Sequence, residues 1–244
     1  MHRDRSIEHL VEKAFRHWEA RERASSAPPL TAPLPAPSFT IALARSWGTP
    51  DSAIGHEVGN RLGWQVYDHE LLERIAQDMG LRASLLESVD EKRKRMGWLG
   101  EAIEGLMSLP VVSQSAYVHN LIETVGALGI HGECVIVGRG ASFALPAETT
   151  LRVRLAAALK DRVAAIRREM GLSARQALRR IEALEREHIH FVQDHFLKDP
   201  TNPEHYDLIV NCSRFSVGQC ANLIIDALHC RQELSKEAAL ARAH

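Results

Sequence analysis

The segment Ala44-Arg45-Ser46-Trp47-Gly48-Thr49-Pro50-Asp51-Ser52-Ala53-Ile54-Gly55 is the first place where residue types and spacing suggest chemistry. A short apolar run, Phe39-Thr-Ile-Ala-Leu-Ala44, leads into it, and a helical stretch from about Ser52 to Leu62 leads out. A strand, a tight turn and a helix N-terminus together make an anion site, because free N–H groups and the helix dipole converge there. Two residues oppose that use. Pro50 has no N–H and cannot adopt the positive φ that glycine permits. Asp51 puts a carboxylate where an anion would sit, and two like unit charges 4 Å apart repel by about 4 kcal/mol at an effective dielectric near 20. Asp51 is also a good N-cap in its own right. The pattern GxxxxGK[ST] is absent, and no lysine stands in the turn.

A second candidate is Arg139, which follows Gly138 at the end of the apolar run Cys134-Val-Ile-Val137. A cation at a strand end can meet a ligand or hold a structural ion pair. His188, His190, Asp194 and His195 invite a metal reading. Helical metal sites place ligands at i and i+4. Only His190 and Asp194 have that spacing, so no metal is expected. Sequence order assembles no Ser-His-Asp or Cys-His set.

The positioning elements alternate strand and helix. Trp64-Gln-Val-Tyr67 reads as a second strand, and Asp68 as the N-cap of a helix over Glu70-Leu-Leu-Glu-Arg-Ile-Ala, with Gly80 as its stop. Residues 82–130 read as largely helical, with Glu91-Lys-Arg-Lys-Arg95 as a solvated face. Leu151-Arg-Val-Arg-Leu155 is strand-like, with its arginines alternating outward. A helix from Asp161 through Met170 ends at Gly171. Ser173 and Gln176 have capping-box spacing before a long helix to about Phe196. Asp207-Leu-Ile-Val-Asn211 is the last strand, and Ser216 with Gln219 opens the final helix. This repetition predicts an α/β fold, a parallel sheet covered by helices on both faces.

Four segments follow. Residues 1–24 carry Ile7, Leu10, Val11, Ala14, Phe15 and Trp18 on one stripe of an amphipathic helix. That stripe suits packing on its own domain, a homodimer or a protein partner. Residues 25–38 are a linker holding five of the ten prolines. Residues 39–232 form the α/β domain, and 233–244 a C-terminal tail. Lys plus Arg is 30 against 31 for Asp plus Glu, a net charge of −1 that argues against a nucleic-acid partner. Cys134, Cys212, Cys220 and Cys230 show no CxxC spacing and read as reduced thiols of a cytoplasmic protein. No apolar stretch is long enough to span a membrane.

The wider pattern resembles the cytidylate-kinase-like family of P-loop proteins. The resemblance rests on RSWG, AIGHEVGNRLG and YDHELLERIAQDMGL between Ile41 and Leu81. It continues through Gly132-Glu-Cys-Val-Ile-Val-Gly-Arg139-Gly, Leu151 to Arg162, Asp199-Pro, and Tyr206-Asp207-Leu-Ile-Val-Asn211. It covers roughly residues 39–230. It implies a nucleoside-monophosphate-kinase fold with a helical monophosphate-binding insert and an arginine-bearing lid. The implied chemistry moves the γ-phosphoryl of ATP, with Mg²⁺, onto a pyrimidine nucleoside monophosphate of CMP type. By position, Gly48, Thr49 and Ser52 would line the phosphate loop, preceded by Arg45. Asp68 and Arg139 would serve the monophosphate, and Arg162, Arg179, Arg180 and Arg186 would supply lid cations. Against the family's Gly-Ser-Gly-Gly loop this chain has Gly48-Thr49-Pro50-Asp51-Ser52. Against its Asp-x-x-Arg-x-x-Tyr lid pattern it has Glu185, His188 and Phe191. Two functions are therefore expected: an active kinase, or a non-catalytic pseudo-kinase that senses nucleotide or engages a protein.

Overall fold

The computed structural model describes residues 38–78 and 116–242, together with Arg16 and Leu85. The stripe on residues 1–24, the proline-rich linker, Gly80 and the Glu91–Arg95 charge run lie outside the described residues.

The central strand, β1 (Thr40–Arg45), is buried over all but its last residue. Its alternation assigns one set of side chains to each face, as the two-residue period of a strand requires. Ile41 and Leu43 join Ile54, Val58, Ile224 and Leu228 on one face, beneath α1 (Asp51–Leu62) and the C-terminal helix. Ala42 joins Leu71, Ile75, Leu121 and Leu128 on the other. That second face is covered by α2 (His69–Gln77) and α3 (Ala116–His131). Strands covered on both sides read as near-continuous apolar runs, and these do.

The remaining strands are β2 (Gln65–Tyr67), β3 (Cys134–Val137), β4 (Thr150–Ala156) and β5 (Leu208–Asn211). Their order is β2-β3-β1-β4-β5, and every pair is parallel. Thr40 aligns with Cys134 on one side and Thr150 on the other. The chain therefore fills one flank of β1 and then crosses to the other. In such a sheet the ligand crevice lies beyond the carboxyl ends of the strands.

The rest of the α layer comprises α4 (Ala141–Ala144), α5 (Leu159–Met170), α6 (Ala174–Phe196) and α7 (Val217–Arg242). Helix α7 continues through residues 233–242, the segment expected as a tail. Three helix starts follow the expected side-chain logic. Asp68 accepts from Leu71 N at 3.0 Å. Ser173 N donates to Gln176 Oε1 at 2.9 Å, and Gln176 N returns the bond to Ser173 Oγ at 3.4 Å. Ser216 and Gln219 repeat the arrangement at 2.9 and 3.3 Å.

Arg152 and Arg154 alternate with buried neighbours along β4 as expected, but neither reaches full exposure. Both are half-buried, because neighbouring carbonyls cover that face of β4. Arg152 Nη2 donates to Leu145 O at 3.0 Å, and Arg154 Nη1 to Pro200 O at 2.9 Å. All four cysteines are free thiols. Burial, with the neighbouring Cys220, pushes the Cys212 thiol up to about 12, so it stays protonated and weakly nucleophilic.

Candidate functional site

The turn after β1 is occupied by its own side chains. Helix α1 begins at Asp51, so Pro50 takes the cap position (φ −82°) and offers no side-chain cap. Asp51 is thus the first helical residue, not the cap that its residue type suggested. Its carboxylate pairs with Arg45, with side chains only 9% and 24% exposed respectively. The helix start favours that negative charge. The Arg45 guanidinium also lies over the Trp47 ring, 4.3 Å from its centroid.

The loop amides are partly spent within the turn. Thr49 is buried, and both its N–H and its hydroxyl donate to Ser46 O, at 3.2 and 2.8 Å. Pro50 contributes no donor. Gly48 has φ +88°, and a Cβ there would stand 2.8 Å from Arg162 O. The start of α5 therefore lies directly on the turn. Arg162 extends that contact. Its Nη1 donates to Trp47 O at 3.4 Å, its Nε to Ala157 O at 3.1 Å, and its guanidinium pairs with Glu185 of α6. Trp47 packs against Ile166, Ala177 and Ile181, so the α5–α6 hairpin grips the turn by its side chain as well. Ser52 is exposed on the first turn of α1.

The open space lies beside the turn, not inside it. A cavity of about 480 Å³ sits beyond the ends of β1 and β3 and beneath α6. Its volume falls within the range of small-molecule sites. It gathers Arg45 from β1, Arg139 from the turn after β3, and Arg180 from α6. Glu187 is the acidic residue on its wall, and Trp47, Phe143 and Phe191 supply aromatic surface. Arg180 is exposed and makes no ion pair among the described residues.

Arg139 is held in place by a network. It adopts a left-handed backbone (φ 52°) between Gly138 (φ 78°) and Gly140 (φ 74°). Such a conformation is uncommon outside glycine and clusters at ligand sites. Its Nη2 meets both Glu73 Oε1 and His69 Nε2. An arginine can only donate, which makes His69 Nε2 the acceptor and leaves Nδ1–H facing Glu73 at 3.5 Å. Tyr117 OH completes the set, donating to Glu73 Oε1 at 3.0 Å. Partial burial, and then the Arg139 charge, lower the His69 pKa. The Arg139 Nε is buried and has no partner among the described residues, an orphaned donor in the cavity wall.

His188 is the second imidazole of the cavity. It is half-buried on α6, and its pKa is lowered by burial, then by Arg45 and Arg154. It is neutral near pH 7 in consequence.

The structure thus brings Arg45, Arg139 and Arg180 to one cavity. Asp68 caps α2 immediately before the cavity residue His69. Gly48, Thr49, Ser52 and Arg162 lie at or against the turn outside the cavity wall, and Arg179 and Arg186 are exposed elsewhere on their helix. Sequence reasoning missed His69, Glu73, Tyr117 and Phe143. The His69/Glu73 spacing of four was a usable signal for part of this network. Tyr117 lies 44 residues from Glu73, and no local pattern links them.

A family model described as the cytidylate kinase-like family matches residues 40–214. No curated protein matches the chain significantly. Among solved structures, an uncharacterized protein from Eubacterium ventriosum aligns with a TM-score of 0.61 at 15% identity. That alignment covers 79% of this chain and 99% of the other, and it shows a shared fold.

Proposed function

This chain belongs to the cytidylate kinase-like family, and from that premise we propose that it binds a nucleoside monophosphate while its phosphate-donor turn is shut. One observation carries the reading: Asp51, buried at the first position of α1, holds Arg45 across the turn that would otherwise cradle a triphosphate. A triphosphate there would confront a carboxylate, a proline without N–H, and a Thr49 amide already bonded to Ser46 O. Mg²⁺ would offset part of the phosphate charge. The residues present nevertheless do not fit ATP in this arrangement, and no transfer step is assigned to them.

The monophosphate half is better provided. Arg139, Arg180 and the exposed edge of Arg45 offer cations around one space. Trp47, Phe143 and Phe191 supply rings of the size a pyrimidine base can rest on. Binding without turnover makes this a nucleotide-sensing pseudo-kinase. Asp68 orients α2 and thereby His69. Arg162 ties the lid hairpin to the turn instead of reaching a transferring phosphoryl group.

The competing reading is an active transferase that moves the γ-phosphoryl of ATP to CMP or a related acceptor; family membership favours it. A coupled ADP-release assay with CMP, dCMP, UMP and AMP separates the two, run beside calorimetric titration with CMP. We expect flat traces for every acceptor together with measurable CMP binding. Turnover above the ATP-only background for any acceptor rejects the closed-turn reading.

A further inference from the structure

The geometry points to His188 as an anion-binding residue that engages only when it carries a proton, so that the cavity takes up a phosphate monoester and a proton together. The inference rests on the monophosphate reading of the same cavity and adds its regulation.

His188 projects from α6 into the cavity that holds Arg45, Arg139 and Arg180. Its ring makes no hydrogen bond among the described residues, although it is half-buried. A half-buried imidazole without a partner is an unusual wall for an apolar pocket, yet it suits one that receives an acceptor-rich ligand. The charges around it explain why it is idle without one. Arg45 faces it from β1, Arg154 from β4, Arg139 across the cavity, and Arg180 and Glu187 from its own helix. Two of these cations are engaged elsewhere: Arg45 with Asp51, and Arg139 with Glu73 and His69. Arg154 is bonded to Pro200 O and Thr201 O and keeps its charge near the ring. Positive neighbours and burial both disfavour the imidazolium.

An anion reverses that balance. Placed among the three arginines, it cancels their repulsion and offers acceptor oxygens to both ring nitrogens. The neutral imidazole has one N–H; the protonated ring has two. The proton comes from solvent, and no bond to phosphorus forms or breaks. The direction follows: His188 releases its proton more readily in the free protein than in the bound one. Binding therefore takes up a proton between those two pH limits and tightens as pH falls. For one proton the dissociation constant changes by at most about tenfold per pH unit.

His69 is the rival, a second imidazole whose pKa is lowered in the same cavity. Its Nε2 already accepts from Arg139 and its Nδ1 faces Glu73, so protonation would break an existing bond instead of making a new one. His188 has nothing to lose.

The test uses inorganic sulfate and CMP with the full-length protein. Sulfate stays a dianion from pH 5.5 to 8, which removes the phosphate's own titration from the reading. Calorimetry in two buffers of different ionisation enthalpy counts the protons taken up. We expect net proton uptake with sulfate for the wild type and for His69→Gln, and none for His188→Gln. His188→Arg should bind sulfate equally well at pH 6 and pH 8 without proton uptake, showing that the position needs charge and not merely volume. Sulfate binding without proton uptake in the wild type overturns the assignment and leaves the monophosphate pocket standing. So does uptake that persists in His188→Gln. Failure of both sulfate and CMP to bind at pH 6 and pH 8 removes the pocket itself, and this assignment with it.

Discussion

Gly48 is the residue that the backbone of the turn after β1 depends on most directly. Its φ of +88° and the 2.8 Å approach of Arg162 O to a would-be Cβ are two independent demands for glycine. Gly48→Ala should cost about 1–3 kcal/mol of stability, read as a lowered urea midpoint at unchanged slope. Arg139 answers to a different readout. Arg139→Gln removes a charged donor that faces the cavity, and CMP affinity should fall about 10- to 100-fold in a calorimetric titration. At this scale the sequence was legible where one residue type has one geometric use. The glycine in the turn, the arginine after Gly138 and the obstructive Pro50-Asp51 pair all stood out. His69 did not, and His188 stood out only as a metal candidate and at the family's lid arginine position, because an imidazole on a helix is as often structural as functional, and only the fold reveals that both reach one space.

Among the elements, α6 decides whether the cavity has a roof. Its C-terminal end is fastened by an aromatic cluster: Phe143 lies 5.9 Å from Phe196, and Phe191 lies 6.1 Å from the same ring. Gly140 admits that cluster, since a Cβ there would meet Phe196 at 2.5 Å. Its first turn is closed by the Ser173–Gln176 capping box, and its middle is tied to α5 by the Arg162–Glu185 pair. The α5–α6 hairpin is thus held at the C-terminal end of α6, at its middle and at the turn. Phe196→Ala should destabilise the protein by about 1–3 kcal/mol in denaturant unfolding. That is below the range for a fully enclosed phenylalanine, because Phe196 is only half-buried. The helices and strands were legible because capping boxes and apolar runs are local signals. The half-buried Arg152 and Arg154 were not, since the carbonyls that receive them arrive from distant segments at Leu145 and Pro200.

For the whole molecule, the order β2-β3-β1-β4-β5 sets three cations around one cavity while Asp51 pairs with Arg45 at the neighbouring turn. The alternation of short apolar runs and helices made that architecture legible; the partition between an open cavity and a closed turn needed side-chain geometry. Two lowered histidine pKa values, His69 and His188, give a stability consequence. A histidine whose folded pKa lies below its unfolded value of about 6.5 contributes fully above that pH, and the contribution is lost as pH falls through the folded value. The melting temperature should therefore drop on acidification from pH 7 to pH 5, and His188→Gln should flatten part of that drop.

The most direct test of the shut turn is a calorimetric titration of ATP, with Mg²⁺ present, into the wild type and into Pro50→Gly/Asp51→Gly. Weak binding to the wild type and at least about a tenfold gain in the double variant are expected, because a carboxylate is removed and an amide donor restored. Equal ATP affinity in the two proteins would contradict the shut turn.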